Sequence, residues 1–189
     1  VELVLSRINW TTSKRYKQFD DKISTDTLLT ADSGAGGNSQ PMYVLTSSRD
    51  VYKCLSNNAN VVSTVEPTGD YNTANGTIFT ADGYIWKYLY TIKPSEIVKF
   101  DSIEYIPVPD NWGNSGESIS IKNNSIDGKI EIITISDRGG GYQPISRSFT
   151  NIPILGDGTG GKATVTVDSF GKVSEVFVTD GGSGYTKGI

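Results

Sequence analysis

The sequence predicts a mainly β protein, with a β-sandwich-like antiparallel domain followed by a small glycine-rich β-repeat module. Three observations lead to this prediction: a long aromatic strand-like run at 82–92, two apolar runs with hairpin spacing within 42–55, and a glycine-rich motif that occurs twice. We place the β-sandwich-like domain at 1–112 and the repeat module at 117–189.

The run at 82–92 is predicted to be the central strand of the first domain, because it is rich in Tyr, Trp and Ile. The pair Asp82-Gly83 supplies the turn before it. Alternation of side chains gives one face four aromatic rings: Tyr84, Trp86, Tyr88 and Tyr90. We interpret this face as packed core and expect Gly83, Trp86 and Tyr88 to be structural residues.

The other elements of the first domain are read from short apolar runs and turn residues. In order, we predict an opening strand at 3–10, a long polar arm at 11–40, a hairpin of strands at 42–46 and 50–55, a short edge strand at 61–65, the central strand, one helical turn at 94–100, an edge strand at 103–109 and a linker at 111–116. Pro107 and Pro109 confine the last strand to an edge. A structureless arm of this length is expected to order against a partner.

The second domain contains an internal repeat. Residues 128–142 recur as 171–185, an offset of 171 − 128 = 43, with matching glycine, lysine, aspartate and tyrosine positions. Units of this kind bury their faces by pairing with neighbours, so we expect the last strand to pair with the first copy. Tyr142 and Tyr185, which end the two copies, are predicted structural residues. The second copy stops after one strand and turn, so the chain is expected to continue beyond Ile189.

Composition excludes several classes of function. The 189 residues contain no histidine, which makes zinc sites and serine triads improbable, and the formal charge of −4 argues against nucleic-acid binding. The one cysteine, Cys54, lies in an apolar run and is predicted to be a buried free thiol. The sequence has no membrane-spanning run and no signal peptide, so we expect synthesis in a cytoplasm, and no cofactor or metal.

Two motifs resemble binding sites, but ordinary turns explain them. Residues 156–163 nearly match a phosphate-binding loop, yet Ala163 follows the lysine and 162–167 alternates as a strand, where a helix would be needed. Three aspartates beside glycines could offer oxygen ligands to calcium: Asp137, Asp157 and Asp180. Turn chemistry is the favoured interpretation of all three.

Four segments carry a family resemblance in both order and spacing: Val51-Tyr52-Lys53-Cys54-Leu55, Glu66-Pro67-Thr68-Gly69, residues 82–90, and Tyr105-Ile106-Pro107-Val108-Pro109. Over about residues 40–110 the chain resembles the gene-eight baseplate wedge protein of T-even-like contractile-tailed bacteriophages. The resemblance implies a β-rich structural subunit of the virion baseplate, commonly dimeric, that joins other wedge proteins and has no catalytic residues. After Trp112 the chain departs from this family, and its glycine–tyrosine repeats are similar to modules of other phage tail proteins.

The predicted function is therefore that of a non-enzymatic baseplate subunit. An alternative is a glycan-binding tail module that contacts the host surface, with Trp10, Trp86 and Trp112 as candidate stacking residues. A polysaccharide hydrolase or lyase is a second alternative, which would need a pair of carboxylates in a cleft. The sequence singles out no such pair.

Overall fold

A computed structural model describes four stretches of the chain: residues 3–19, 42–69, 76–114 and 117–186. The chain divides into two compact units, 1–124 and 125–189. Much of the predicted arm, from residue 20 to residue 40, lies outside the described residues.

The secondary structure is mainly β, as predicted. In the first unit the described elements are β1 (Val4–Ser6), β2 (Tyr43–Leu45), β3 (Asp50–Ser56), β4 (Thr77–Phe79), β5 (Ile85–Thr91), α1 (Pro94–Phe100), β6 (Tyr105–Pro107) and α2 (Glu117–Asn123). In the second unit they are β7 (Arg147–Pro153), β8 (Lys162–Val167) and β9 (Val173–Asp180).

The main sheet of the first unit has four antiparallel strands in the order β2-β3-β5-β4. The predicted hairpin is confirmed, with Val44 opposite Tyr52. The predicted central strand is also confirmed, since β5 pairs on both sides and Trp86 is fully buried. Tyr84, Tyr88 and Tyr90 are buried with it, so the aromatic face of β5 is core.

Tyr16 completes this aromatic core, although the sequence placed it in a polar arm. Its ring meets those of Trp86 and Tyr84 edge-on, with centroids 5.5 and 6.5 Å apart, and it is fully buried. Nearby, the Phe19 backbone amide donates to the Cys54 carbonyl at 2.7 Å. The expectation of a free arm is therefore wrong for residues 11–19, because these contacts bind that stretch to the sheet.

The turn before β5 is built around the carboxylate of Asp82. One oxygen accepts from the Thr80 hydroxyl at 2.5 Å, and the other from the backbone amides of Thr64 and Val65 at 2.7 and 3.0 Å. Burial alone would raise the pKa of Asp82, but the hydrogen bonds from Thr80 and three backbone amides outweigh it and lower the pKa. Gly83, at φ 82°, leaves no room for a β-carbon beside Asn58.

A separate two-stranded antiparallel sheet, β1 with β6, packs against the main sheet. Its Ile106 and Leu5 pack with Leu45, Val51 and Tyr90 of the main sheet. The described sheets are antiparallel and the fold is mainly β, while the sandwich-like arrangement of the first domain remains a prediction.

Three local predictions differ from the structure. Residues 61–65 form no strand and make one bridge, Ser63 to Lys14, because Asp82 accepts hydrogen bonds from the amides of residues 64 and 65. Strand β4 was not predicted. Helix α2 occupies sequence expected to follow the domain end at 112, and its Ile121 is buried in the aromatic cluster, so the first unit extends to 124.

The second unit contains a three-stranded antiparallel sheet in the order β7-β8-β9. The first repeat copy runs antiparallel beside the second: Ile130 donates to the Gly181 carbonyl, and Val173 donates to the Arg138 carbonyl, at 2.9 and 3.0 Å. Ile130 corresponds to Val173 and Arg138 corresponds to Gly181 in the repeat, so each bond is the equivalent of the other with the two copies interchanged. The copies are therefore related by a local two-fold axis. The expectation that the last strand pairs with the first copy is met only at the two ends of the segment, where these hydrogen bonds lie, because residues 129–135 form no regular strand.

Trp86→Ala is expected to lower the free energy of unfolding by about 3–5 kcal/mol, the usual cost of deleting a large buried aromatic side chain. Chemical denaturation would measure the change. The matched control is Phe79→Ala on neighbouring β4, whose side chain is exposed and should cost little. Equal stability of the two variants would contradict the central position of β5.

Asp82→Asn is expected to lower stability at pH 7 by about 1–3 kcal/mol, because a charged acceptor of several hydrogen bonds is lost. The folded-state pKa of Asp82 lies below its unfolded value, so its contribution is complete above about pH 4 and is lost as the pH falls through the folded-state pKa. The variant should therefore lose less stability below pH 4 than the wild type. Denaturation at several pH values measures this, with the exposed Glu104→Gln as a control; parallel pH profiles of Asp82→Asn and wild type would contradict it.

Candidate assembly surface

Asp101 fixes the two-stranded sheet and α1 to the main sheet. One carboxylate oxygen lies 3.1 Å from an Arg7 guanidinium nitrogen and the other lies 2.6 Å from Arg49. Arg7 follows β1, Arg49 lies in the β2–β3 turn, and Asp101 follows α1. The carboxylate is almost fully buried, so this ion-pair cluster ties three separate parts of the chain together.

Helix α1 has local signals for both of its ends. Pro94 begins the helix, where its missing amide hydrogen costs nothing, and Glu96 lies in the first turn. Lys99 lies in the last turn, and the backbone amide of Asp101 donates to the Ile97 carbonyl as the helix ends. The predicted helical turn at 94–100 is confirmed.

These fixed elements carry exposed apolar side chains. Val98 on α1 is 87% exposed and Ile103, in the loop between α1 and β6, is 93% exposed. Val4 and Tyr105 are exposed and lie on the outward face of the two-stranded sheet. Their cross-strand partners are Pro107 and Ser6, respectively. Together with Leu3, these residues define the apolar surface: Leu3, Val4, Val98, Ile103 and Tyr105.

Exposed apolar side chains gathered on neighbouring elements, as on β1, β6 and α1, are a feature of protein–protein contact sites. Sequence reasoning predicted the secondary structure here but missed the surface and the Asp101 cluster. Arg7, Arg49 and Asp101 are far apart in the chain, and no spacing relates them. An unusually apolar loop residue, Ile103, was the one available signal.

The structural residues predicted from the sequence fall in two places, the aromatic core of the first unit and the repeat copies of the second unit. Gly83, Cys54, Trp86 and Tyr88 lie in or beside the aromatic core. Burial, followed by the charge of Asp82, raises the pKa of the Cys54 thiol to about 12. Tyr185 and Tyr142 lie in the second unit, where Tyr185 is buried and Tyr142 is half-exposed. A structural role for each remains a prediction.

The glycine turn at 156–161 holds the side chain of Tyr185. The Tyr185 hydroxyl accepts from the Gly161 amide at 3.1 Å and donates to the Ile154 carbonyl at 2.8 Å. Strand β8 follows directly, where a phosphate-binding loop would need a helix. The tight-turn interpretation therefore agrees with the geometry.

Two of the calcium candidates, Asp137 and Asp180, accept hydrogen bonds within their own turns, whereas Asp157 accepts from Thr186, 29 residues further along the chain. Asp137 and Asp180 accept from the amides of Gly139 and Gly182, and Asp157 accepts from the Thr186 amide. Within the described stretches, no group of three or more Cys, Asp or Glu side chains could hold a metal ion.

The three tryptophans do not share one surface. Trp86 is fully buried and cannot stack on a glycan. Trp10 is half-buried, with its indole nitrogen 3.1 Å from the Ser63 hydroxyl, while Trp112 is partly exposed and donates to the Leu89 carbonyl. Trp86 must therefore be withdrawn as a candidate stacking residue.

Most residues of the apolar surface and of the Asp101 ion-pair cluster lie within one region of the chain, and this region matches a known protein family. Residues 44–126 match the Phage-Gp8 family, Bacteriophage T4, Gp8. The predicted relationship to gene-eight baseplate wedge proteins is thus confirmed for this region. The match supports a structural protein of a phage baseplate, located in the virion tail. It includes α2 and ends before the repeat begins at Gly128.

Comparisons with curated proteins and with solved structures returned no significant match. Among the described helices, none has the length and apolar character needed to cross a membrane.

Asp101→Asn is expected to lower the free energy of unfolding by about 2–3 kcal/mol, somewhat less than a fully buried pair would lose, because Arg7 and Arg49 still reach water. Thermal and chemical denaturation would measure it. Asp110→Asn, an exposed carboxylate in the chain after β6, is the control and should have little effect. Wild-type stability in Asp101→Asn would show that the cluster does not hold these elements.

Proposed function

We propose that the first unit joins neighbouring proteins of a phage baseplate wedge through the apolar surface on β1, β6 and α1. The observation that carries the proposal is the exposure of Ile103 and Val98 on elements that the buried Asp101 cluster fixes to the core. Exposed apolar groups on rigid elements lose little entropy on binding, which favours a permanent contact.

The likeness to the Gp8 family supports other baseplate wedge proteins as the partners. A homodimer, which the same resemblance implies, is an additional prediction. The role requires no catalytic group, cofactor, nucleic acid or membrane, and we propose assembly in the cytoplasm of the bacterial host.

The second unit is expected to contribute further contacts. Among its described residues, the buried apolar side chains are Ala163, Val167 and Tyr185, a small core for a unit of this size. Large side chains such as Phe170 and Leu155 are exposed instead. Repeat units with such a limited core gain stability from neighbours, which favours an assembled state.

The glycan-binding alternative has no comparable support. With Trp86 buried, its stacking surface would depend on Trp10 and Trp112, whose indole nitrogens already bond to the protein. For the polysaccharide-cleaving alternative, the geometry singles out no pair of carboxylates among the residues that the structure describes.

The double variant Val98→Asp/Ile103→Asp is expected to fold normally and to fail to enter baseplates. Charges at both positions stay hydrated in the free protein, but they would be buried without partners at an interface. Immunogold labelling of virions made with each variant, together with their melting temperatures, would measure both effects.

The matched control is Val61→Asp, an exposed apolar position outside the apolar surface. We expect gold label at the baseplate for wild type and for Val61→Asp, and none for the double variant. Normal labelling of the double variant would contradict the proposed surface. Label on distal fibres would favour the glycan-binding alternative.

A further inference from the structure

The two tyrosines that end the repeat copies have different surroundings. Tyr142 and Tyr185 occupy equivalent positions, since 185 − 142 = 43, the offset of the repeat. Tyr185 is 9% exposed, whereas Tyr142 is 48% exposed. One copy therefore has a filled site and the other an open one.

The filled site consists of a glycine-rich turn, residues 156–161, packed against the Tyr185 ring. A β-carbon on Gly158 would lie 2.4 Å from Cγ of the ring, and one on Gly161 would lie 2.8 Å from its hydroxyl oxygen. Both positions therefore require glycine. The hydroxyl bonds to the Gly161 amide and to the Ile154 carbonyl, so the turn recognises tyrosine specifically.

Two further contacts hold the turn beside Tyr185. Thr159 and Ser183 exchange two backbone hydrogen bonds, each 3.0 Å long. The Asp157 carboxylate accepts from both the backbone amide and the hydroxyl of Thr186. The second copy and Thr186, which directly follows it, thus contact the turn through the Tyr185 side chain, the backbone of Ser183, and the amide and hydroxyl of Thr186.

The backbone of the first copy has the same conformation as that of the second copy at two equivalent pairs of glycines. Gly139 and Gly182 have φ of 59° and 60°, and Gly141 and Gly184 have φ of 77° and 72°. Two symmetry-related backbone bonds also hold both tyrosine segments in place: the backbone amide of Tyr142 donates to the Gly171 carbonyl at 3.0 Å, and the backbone amide of Tyr185 donates to the Gly128 carbonyl at 3.1 Å. The segment around Tyr142 therefore already has the backbone conformation with which the segment around Tyr185 contacts its glycine-rich turn.

In the sequence, the positions that correspond to the glycine-rich turn for the first copy lack the required glycines. The residues 43 positions before Gly158 and Gly161 are Ser115 and Ser118, and a serine adds the β-carbon that the Tyr185 site has no room for. Gly140 is the counterpart of Ser183, and a β-carbon there would meet nothing within 4 Å. The described surroundings of Tyr142 thus leave both the ring and the backbone bridge open.

We propose that Tyr142, with the backbone of residues 139–143, docks a glycine-rich turn of the type Gly-Asp-Gly-x-Gly-Gly presented by a partner polypeptide. The partner turn covers the ring, bonds to the Tyr142 hydroxyl and bridges Gly140, and its aspartate accepts from the Gln143 amide. The site lies outside the region matched to the Gp8 family, and it goes beyond the joining role proposed for the first unit.

The test uses the full chain, labelled with ¹⁵N, and a head-to-tail cyclised peptide with the sequence of residues 152–167 as the probe. At millimolar peptide we expect saturable amide shifts at residues 139–143. Tyr142→Ala should abolish them, and Tyr142→Phe should weaken binding about five- to tenfold, since it lacks the hydroxyl hydrogen bonds.

Two matched controls distinguish specific docking from nonspecific binding. A peptide with Gly158→Ala and Gly161→Ala should not bind, and Tyr105→Ala, which removes a tyrosine of similar exposure in the first unit, should leave binding unchanged. Unshifted spectra elsewhere would show that Tyr142→Ala folds. Absent shifts at 139–143, equal shifts with the alanine peptide, or binding that survives Tyr142→Ala would each overturn the proposal. Because the readout needs no virion, it is independent of the baseplate test.

Discussion

The first unit depends on the packing of one strand face, that of β5, against aromatic rings from several parts of the chain. Trp86 stacks on Tyr84 at a centroid distance of 5.4 Å and an interplanar angle of 17°, and Tyr16 closes over both edge-on. Aromatic pairs add to the free energy of burial through their geometry, so ring position matters as well as area. The Asp82 turn fixes where the strand begins and therefore where each ring lies.

Around this core, polar interactions decide which further segments stay attached. The Asp101 carboxylate joins segments almost one hundred residues apart, and its two arginines come from different segments of the chain, after β1 and between β2 and β3. Such a cluster contributes little net free energy, but it penalises alternative placements of β1 and α1, because any of them would leave a buried charge unpaired. The same constraint holds the elements that carry the apolar surface in place.

Local patterns predicted what depends on local chemistry. The alternation at 84–90, the turn at Asp82-Gly83, the helix beginning at Pro94 and the family resemblance could all be read from neighbouring residues. Tyr16 could not, since an irregular polar segment has no periodicity and its burial depends on rings contributed by β5. Helix α2 has strand-like alternation in its sequence, yet burial of Ile121 in the aromatic cluster outweighs that preference. The candidate surface was missed because exposure is a property of the folded neighbourhood.

Cys54 gives the molecule a practical property. The chain has one thiol, buried in the aromatic core, and at a pKa of about 12 it is almost entirely protonated at neutral pH. A cysteine introduced on the surface would therefore react with maleimide dyes far faster than the native one. Fluorophores or spin labels could be attached at single chosen positions without first replacing Cys54, and distances between subunits could be followed during assembly with the aromatic core left intact.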